Sequence, residues 1–183
     1  MKKLETQGNR KLEFYVLDVF TEKPFSGNQL SVVHCQAELE IAQYHQISKE
    51  FGYSETSFVT YSEEEDVFKV RSFTPSKFEV TGAGHNLLGA VCLALLKEWD
   101  IFRSHGAMPC VLIKDTKIPL VITKKNKLFY VGMKQKVASV LNGLPTNEVA
   151  YAIGLAPEDM NLNGWENRIV ETEIAHLVEP VRD

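Results

Sequence analysis

Residues 82–99 read GAGHNLLGAVCLALLKEW, and this stretch contains the strongest helix signal in the chain. Within it, residues 86–99 place leucine, valine, alanine and cysteine side chains on nearly every face of a helix. A helix that is apolar all round is normally buried on all sides. We therefore predict a central helix at residues 86–99 with a sheet wrapped around it.

Short runs rich in aromatic and β-branched residues lie on both sides of this helix in the sequence. Such runs are typical of strands, and we predict strands at residues 12–19, 30–35, 56–61, 67–73, 110–114, 119–123, 128–132, 169–172 and 174–178. Helical spacing predicts further helices at residues 38–51 and 146–155, the second capped by Thr146. Strands in twos and threes, without regular strand–helix alternation, favour an α+β fold with a curved, mostly antiparallel sheet.

The charge pattern argues against nucleic-acid binding. The 183 residues carry a net charge of −4, and lysine and arginine are scattered along the chain. The densest basic stretch, residues 124–127, lies between two predicted strands and is typical of an exposed hairpin turn. Because a nucleic-acid-binding protein presents a basic face, we expect no nucleic-acid partner.

The cysteines and the apolar segments indicate a cytoplasmic protein without a metal site. Cys35, Cys92 and Cys110 are odd in number and far apart, as expected for reduced thiols. No His/Cys cluster has the spacing of a zinc site. Residues 1–10 are polar and give no signal-peptide pattern, and the longest apolar run, residues 87–96, is too short to span a bilayer. We expect neither a metal nor a membrane partner.

Glu55 is the first candidate for proton transfer. The hydroxyl residues Ser54, Thr56 and Ser57 flank it, and Phe58 follows. A carboxylate that is half-buried beside apolar surface has a raised pKa, which brings it nearer to the range that proton transfer at neutral pH needs. The alternative is an exposed glutamate at the start of a strand, and local sequence leaves both interpretations open.

The second candidate is the glycine-rich turn before the central helix, Gly82-x-Gly84-His85. A dinucleotide-binding fingerprint would need a glycine where Leu87 stands, and no P-loop pattern follows. One interpretation is a tight turn with a helix-capping histidine. The other is that His85 and the neighbouring amides bind a substrate carboxylate or carbonyl oxygen and stabilise an enolate-like state.

Several stretches match one known family when they are taken together, in order and at similar separations. They are residues 17–29 (LDVFTEKPFSGNQ), 54–59 (SETSFV) and 71–75 (RSFTP), then Glu79 and the pair Gly84-His85. In these stretches the chain resembles the PhzF-like (phenazine biosynthesis) family, whose fold is that of diaminopimelate epimerase. The resemblance covers most of residues 12–99 and is looser beyond them.

The resemblance implies an isomerase that moves a proton on carbon without a cofactor. It implies two similar domains, each a curved sheet around a central helix, with the active site between them. It assigns Glu55 as the general acid and base, Gly84 and His85 as contacts to a small, carboxylate-bearing substrate, and Gly27 and Asn28 to the edge of the cleft. Because no cysteine stands at these positions, it implies a carboxylate mechanism rather than the two-thiol mechanism of diaminopimelate epimerases.

The resemblance also sets the expected domain organisation. Family chains are considerably longer, so we expect an N-terminal domain at residues 1–165 and the start of an incomplete second domain at residues 166–183. The alternative function is an inactive, truncated member that acts as a binding or assembly module. In either case we expect a homodimer, because the surface that would meet a second domain should be apolar. A third idea is an epimerase of small amino acids.

Overall fold

The computed structural model describes residues 11–62, 67–99, 109–126, 128–135, 137–160, 164–172 and 174–182. Its internal contacts divide the chain into two compact units, Met1–Lys134 and Gln135–Asp183. The predicted domain boundary after residue 165 is not tested by this division and stays a prediction.

The described residues of the first unit form one sheet and two helices. Its elements are β1 (Glu13–Val19), β2 (Asn28–His34), α1 (Ile41–Phe51), β3 (Thr56–Ser62), β4 (Val67–Phe73), β5 (Glu79–Val80), α2 (His85–Leu96), β6 (Cys110–Ile113), β7 (Thr116–Lys125) and β8 (Leu128–Met133). The strand order is β1-β2-β3-β4-β6-β7-β8, with β5 beside β4. Neighbours are antiparallel except for the β2/β3 and β4/β6 pairs, which are parallel. The predicted α+β fold with a mostly antiparallel sheet is confirmed.

The sheet curves around α2. This helix contacts β1, β2, β3 and β4 and also β8, the strand at the opposite end of the order, which a flat sheet would not allow. Leu87, Ala90, Val91 and Ala94 are fully buried in the cluster that α2 shares with the sheet. Gly89 lets the helix approach the strands closely, because an added Cβ would lie 2.7 Å from a Val19 methyl.

One side of α2 is not buried, contrary to the prediction that it would be enclosed on all sides. Leu96 is 56% exposed, and Leu88 and Cys92 are half-buried. These three residues line a groove of about 630 Å³ between β1 and β8. The reason is that these two strands stand at opposite ends of the strand order and leave this side of the helix uncovered. No helix among the described residues is long and apolar enough to cross a bilayer.

The outer face of the sheet packs against α1. Tyr44 of α1 stacks on Phe73 and meets the edge of Phe58, and all three rings are buried. The helix begins at Ile41, three residues later than predicted, where the Gln43 side chain accepts a hydrogen bond from the Glu40 amide. It ends as predicted at Gly52, whose φ of 69° suits glycine.

The second unit is small. Its elements are β9 (Ser139–Asn142), α3 (Thr146–Ile153), a 3₁₀ turn (Pro157–Asp159), β10 (Arg168–Glu171) and β11 (Ala175–Val178), with β10 between the two other strands. Val149, Ala150 and Met160 form its buried cluster. The prediction that Thr146 caps α3 is wrong: Pro145 occupies the cap position and Thr146 is the first helical residue.

Candidate active site

The predicted site residues lie in segments that meet at one end of the curved sheet. Because β2 and β3 are parallel, with Ser31 opposite Thr56, both strands start at this end. The antiparallel strands β1 and β4 end there. The helix α2 also starts there, since the Ser57 hydroxyl in β3 donates a 3.2 Å hydrogen bond to the Asn86 carbonyl. Glu55 therefore precedes a strand whose first residues contact the helix turn that contains His85.

Glu55 stands directly before β3, on the side that faces α2. Side chains alternate along a strand. Ser57 contacts α2, and Val59 is buried in the cluster around that helix, so the same alternation places Glu55 on this face. Its Oε2 atom is buried without a hydrogen-bond partner among the described residues. Burial raises the pKa of this carboxyl above its usual value.

His85 is the first residue of α2 and is half-buried. Its Nε2 atom is buried and, within the described part of the chain, has no hydrogen-bond partner. Burial lowers the pKa of the imidazole, which favours the neutral ring at neutral pH. A neutral imidazole can donate a hydrogen bond from one nitrogen and accept one at the other.

The two unpaired atoms, Glu55 Oε2 and His85 Nε2, are unusual for a folded protein. Most buried polar side-chain atoms have a partner, and leaving one without a partner costs roughly 1–3 kcal/mol. Here two such atoms occur in segments that the Ser57–Asn86 hydrogen bond holds together. A bound molecule that carries both an acidic C–H group and a polar oxygen could pair with both.

The backbone amides at the start of α2 fall into two groups, those that donate to a protein side chain and those without an acceptor in the helix. The Gly84 amide, which we predicted to contact a substrate, donates to Asn86 Oδ1 at 2.8 Å, and so does the Leu87 amide. The amides of His85 and Asn86, at the first two helical positions, have no acceptor in a preceding turn of the helix. A ligand oxygen would therefore meet these two amides, while the predicted role of Gly84 stays a prediction.

Gly27 and Asn28 lie at the rim of the same end of the sheet. Asn28 is the exposed first residue of β2 and pairs with Val19, the last residue of β1. Gly27 packs against the end of β1 so closely that an added Cβ would lie 2.5 Å from the Val19 carbonyl oxygen. Their positions agree with a cleft edge, and the contact of either residue with a substrate stays a prediction.

Sequence reasoning missed the buried polar residues behind the site. Asn86 is 2% exposed, Ser57 0% and Ser72 2%, and the Ser57 and Ser72 hydroxyls lie 2.9 Å apart. The sequence pattern indicates these roles only weakly, because Asn86 is simply an asparagine at the start of an apolar run and the two serines lie in separate predicted strands. Their meeting depends on the register of β3 against β4, where Ser57 is opposite Ser72.

The described residues offer no group of three or more histidine, cysteine, aspartate or glutamate side chains that could hold a metal ion. The three cysteines are free. Cys35 is buried on the outer face beside α1, where burial raises its pKa to about 12, and Cys92 lines the groove between β1 and β8. Cys35 is thus on the face of the sheet opposite α2, and Cys92 is seven residues after His85 in that helix.

Comparisons with known proteins find relatives that are described as isomerases. The model of the family described as "Phenazine biosynthesis-like protein" matches residues 17–126. An isomerase of Pseudomonas aeruginosa, described as uncharacterized, is 40% identical over 172 residues, which are 94% of this chain and 61% of the relative. The trans-2,3-dihydro-3-hydroxyanthranilate isomerase of the same species is 32% identical over 158 residues, 84% of this chain and 53% of that enzyme.

A solved structure shows the same fold. The PhzF-family protein of Bacillus anthracis superimposes with a TM-score of 0.74 at 25% identity, over 94% of this chain and 57% of that one. The chain thus spans about half the length of the curated relatives and the solved structure that it matches.

Proposed function

This chain belongs to the phenazine biosynthesis-like (PhzF-like) family, and we propose that it is an isomerase that moves a proton on carbon without a cofactor. Glu55 is the acid and base, and His85 contacts the substrate. The observation that carries this proposal is the pair of buried, unpartnered atoms, Glu55 Oε2 and His85 Nε2, in segments joined at one end of the sheet.

The proposed reaction starts with the ionised Glu55 carboxylate. It removes a proton from a carbon next to a carbonyl or an unsaturated group, and the C–H electron pair moves into that system. The protonated carboxyl exchanges its proton with solvent and then returns a proton to a second carbon, or to the other face of the first. The proton count and the electron count of the substrate are unchanged, so the net reaction is an isomerisation or an epimerisation.

The developing negative charge on the substrate is stabilised at the start of α2. An Nε2–H group of neutral His85 donates to the substrate oxygen, together with the amides of His85 and Asn86. Donors that are fixed in advance around such an oxygen are among the largest contributions to catalysis. Burial lowers the pKa of His85, which favours the neutral ring in this role.

The shifted pKa of Glu55 suits a residue that acts as both base and acid. A catalytic group is most effective when its pKa is near the working pH, and burial raises the pKa of Glu55 in that direction. The substrate is a small carboxylate. Since one relative is named for trans-2,3-dihydro-3-hydroxyanthranilate, this compound is the first probe to use, followed by small α-amino acids as probes of epimerisation.

The experiment is proton exchange in deuterated water, followed by mass spectrometry and NMR of the recovered probe. We expect deuterium at carbon with the parent chain and a loss of about 10²–10⁴-fold in rate with Glu55→Gln. Glu50→Gln, which changes an exposed glutamate of α1, is the matched control and keeps the parent rate.

Two results would refute the proposal. One is an unchanged exchange rate in Glu55→Gln. The other is no exchange with any probe. If a probe binds without exchange, the protein is the non-catalytic binding module that we named as the alternative.

A further inference from the structure

The start of α2 is capped by a side chain in an unusual position. A helix is commonly capped by the residue before it, whose side-chain oxygen accepts a hydrogen bond from an amide of the first turn. Here that residue is Gly84, which has no side chain. Asn86, the second residue of the helix, does this instead, because its Oδ1 accepts a 2.8 Å hydrogen bond from the Leu87 amide.

Asn86 also holds the loop in front of the helix. Its Oδ1 accepts a second hydrogen bond, from the Gly84 amide at 2.8 Å, and its Nδ2 donates to the Gly82 carbonyl at 3.1 Å. Because Asn86 is 2% exposed, water does not compete strongly for these bonds. His85 therefore lies between a fixed loop and a fixed helical turn.

Ser57 connects this turn to the strand that follows Glu55. Its hydroxyl donates to the Asn86 carbonyl at 3.2 Å and lies 2.9 Å from the Ser72 hydroxyl. A serine has one hydroxyl proton, so while Ser57 donates to Asn86 it accepts from Ser72. Ser57 is two residues from Glu55, and Asn86 is adjacent to His85. One short chain of hydrogen bonds thus joins the backbones that carry the two candidate side chains.

We propose that Asn86 and Ser57 are positioning residues, which fix the His85 imidazole relative to the Glu55 carboxylate. The inference rests on the proposed function, in which both of those side chains contact one substrate. The side chains of Asn86 and Ser57 act through the backbone and do not contact the substrate. Such positioning matters because a misplacement of about 1 Å in a reacting group can reduce the rate by about 10²-fold.

The test is an NMR titration of the His85 ring in the parent chain, in Asn86→Ala and in Ser57→Ala. In both variants we expect the His85 pKa to rise, because the loosened ring gains access to water. The rise should remove at least about half of the difference between the His85 pKa in the parent and the ordinary pKa of a histidine. The larger change is expected in Asn86→Ala, which loses both the loop bonds and the cap. Ser48→Ala, which removes a buried serine hydroxyl from α1, is the control and leaves the titration unchanged.

Identical His85 titrations in the parent and in the folded variants would overturn the proposal. If Asn86→Ala does not fold, Ser57→Ala decides alone, since it leaves the bonds of Asn86 to the loop in place. The readout needs no turnover. A parent chain that exchanges no carbon-bound proton would refute the proposed function and would leave this result standing.

Discussion

Arg71 holds Glu79 in a two-pronged ion pair, with 2.8 Å from Nε to Oε1 and 3.0 Å from Nη2 to Oε2. The guanidinium also lies over the rings of Tyr44, at 4.6 Å, and Phe73, at 5.2 Å. These rings belong to the outer face of the sheet, beside α1. Although residues 71–75 and Glu79 carry part of the family resemblance, this pair is on the face opposite α2 and holds β4, β5 and α1 together.

The first prediction is that Arg71→Ala destabilises the fold by about 1–3 kcal/mol, the range for charge-assisted, partly buried hydrogen bonds. Arg71→Lys should cost more than half of that free energy of unfolding, because an ammonium cannot reproduce the two parallel hydrogen bonds of the planar guanidinium. Glu38→Gln is the control: Glu38 is 3.7 Å from Arg71 and its side chain is 55% exposed, so its removal should cost less than about 0.5 kcal/mol. Urea denaturation midpoints measure all three, and equal losses in Arg71→Ala and Glu38→Gln would contradict this role.

The second prediction concerns Gly27, where an added Cβ would lie 2.5 Å from the Val19 oxygen and 2.9 Å from the Asp18 carbonyl carbon. Backbone atoms at the end of a paired strand cannot move aside easily. We expect Gly27→Ala to destabilise the fold by about 1–3 kcal/mol through overpacking. Gly132→Ala is the matched control, because its nearest contact would be an ordinary 3.9 Å. Thermal unfolding midpoints compare the two, and a Gly27→Ala chain as stable as the parent would show that the turn can open.

The third prediction is that Ser48→Ala stabilises the protein. Ser48 is fully buried in α1, and its hydroxyl has no hydrogen-bond partner among the described residues. Removing it relieves an unsatisfied polar group and improves helix propensity, for a gain of about 1 kcal/mol. Ser31→Ala is the contrast, since the Ser31 hydroxyl lies 2.7 Å from that of Thr56 and its loss leaves Thr56 unpaired, at a cost of about 1–3 kcal/mol. The prediction is wrong if denaturant midpoints fall in both variants.

The sequence was sufficient for the elements with a clear pattern. Strands at residues 12–19 and 67–73 and the helix around Leu87–Leu96 were placed within a few residues, because alternation and apolar content extend over their whole length. The strand Glu79–Val80 is too short to show any alternation. The strand Ser139–Asn142 is exposed throughout, so burial imposes no pattern on it.

Two residues of the candidate site could be predicted from the sequence, and the residues that hold them in place could not. Glu55 and His85 belong to short local patterns that are visible in the sequence. Glu55 lies among hydroxyl residues, and His85 follows two glycines. The role of Asn86 depends on a side chain that folds back onto the preceding loop. The Ser57–Ser72 contact depends on strand register, and neither can be read from spacing along the chain.

The fourth prediction is a pH-dependent gain in stability for Glu55→Gln. In the unfolded chain a glutamate titrates near 4.3, and in the folded chain burial raises the pKa of Glu55. The folded parent therefore binds this proton more tightly than the unfolded chain does, and it loses stability as the pH rises through the interval between the two pKa values. Glutamine carries no such penalty, so the stability of the variant relative to the parent should grow across that interval.

The measurement of this fourth prediction is a series of denaturant midpoints from about pH 4 upward, where the unfolded glutamate begins to ionise. The difference between Glu55→Gln and the parent should be constant below that pH, increase through the raised pKa of the folded state, and reach a plateau above it. Glu50→Gln, at an exposed position in α1, should give a difference that hardly changes with pH. A difference for Glu55→Gln that is flat, or that shrinks as the pH rises, would mean that the carboxyl is well solvated, and it would remove the electrostatic reason for assigning it to proton transfer.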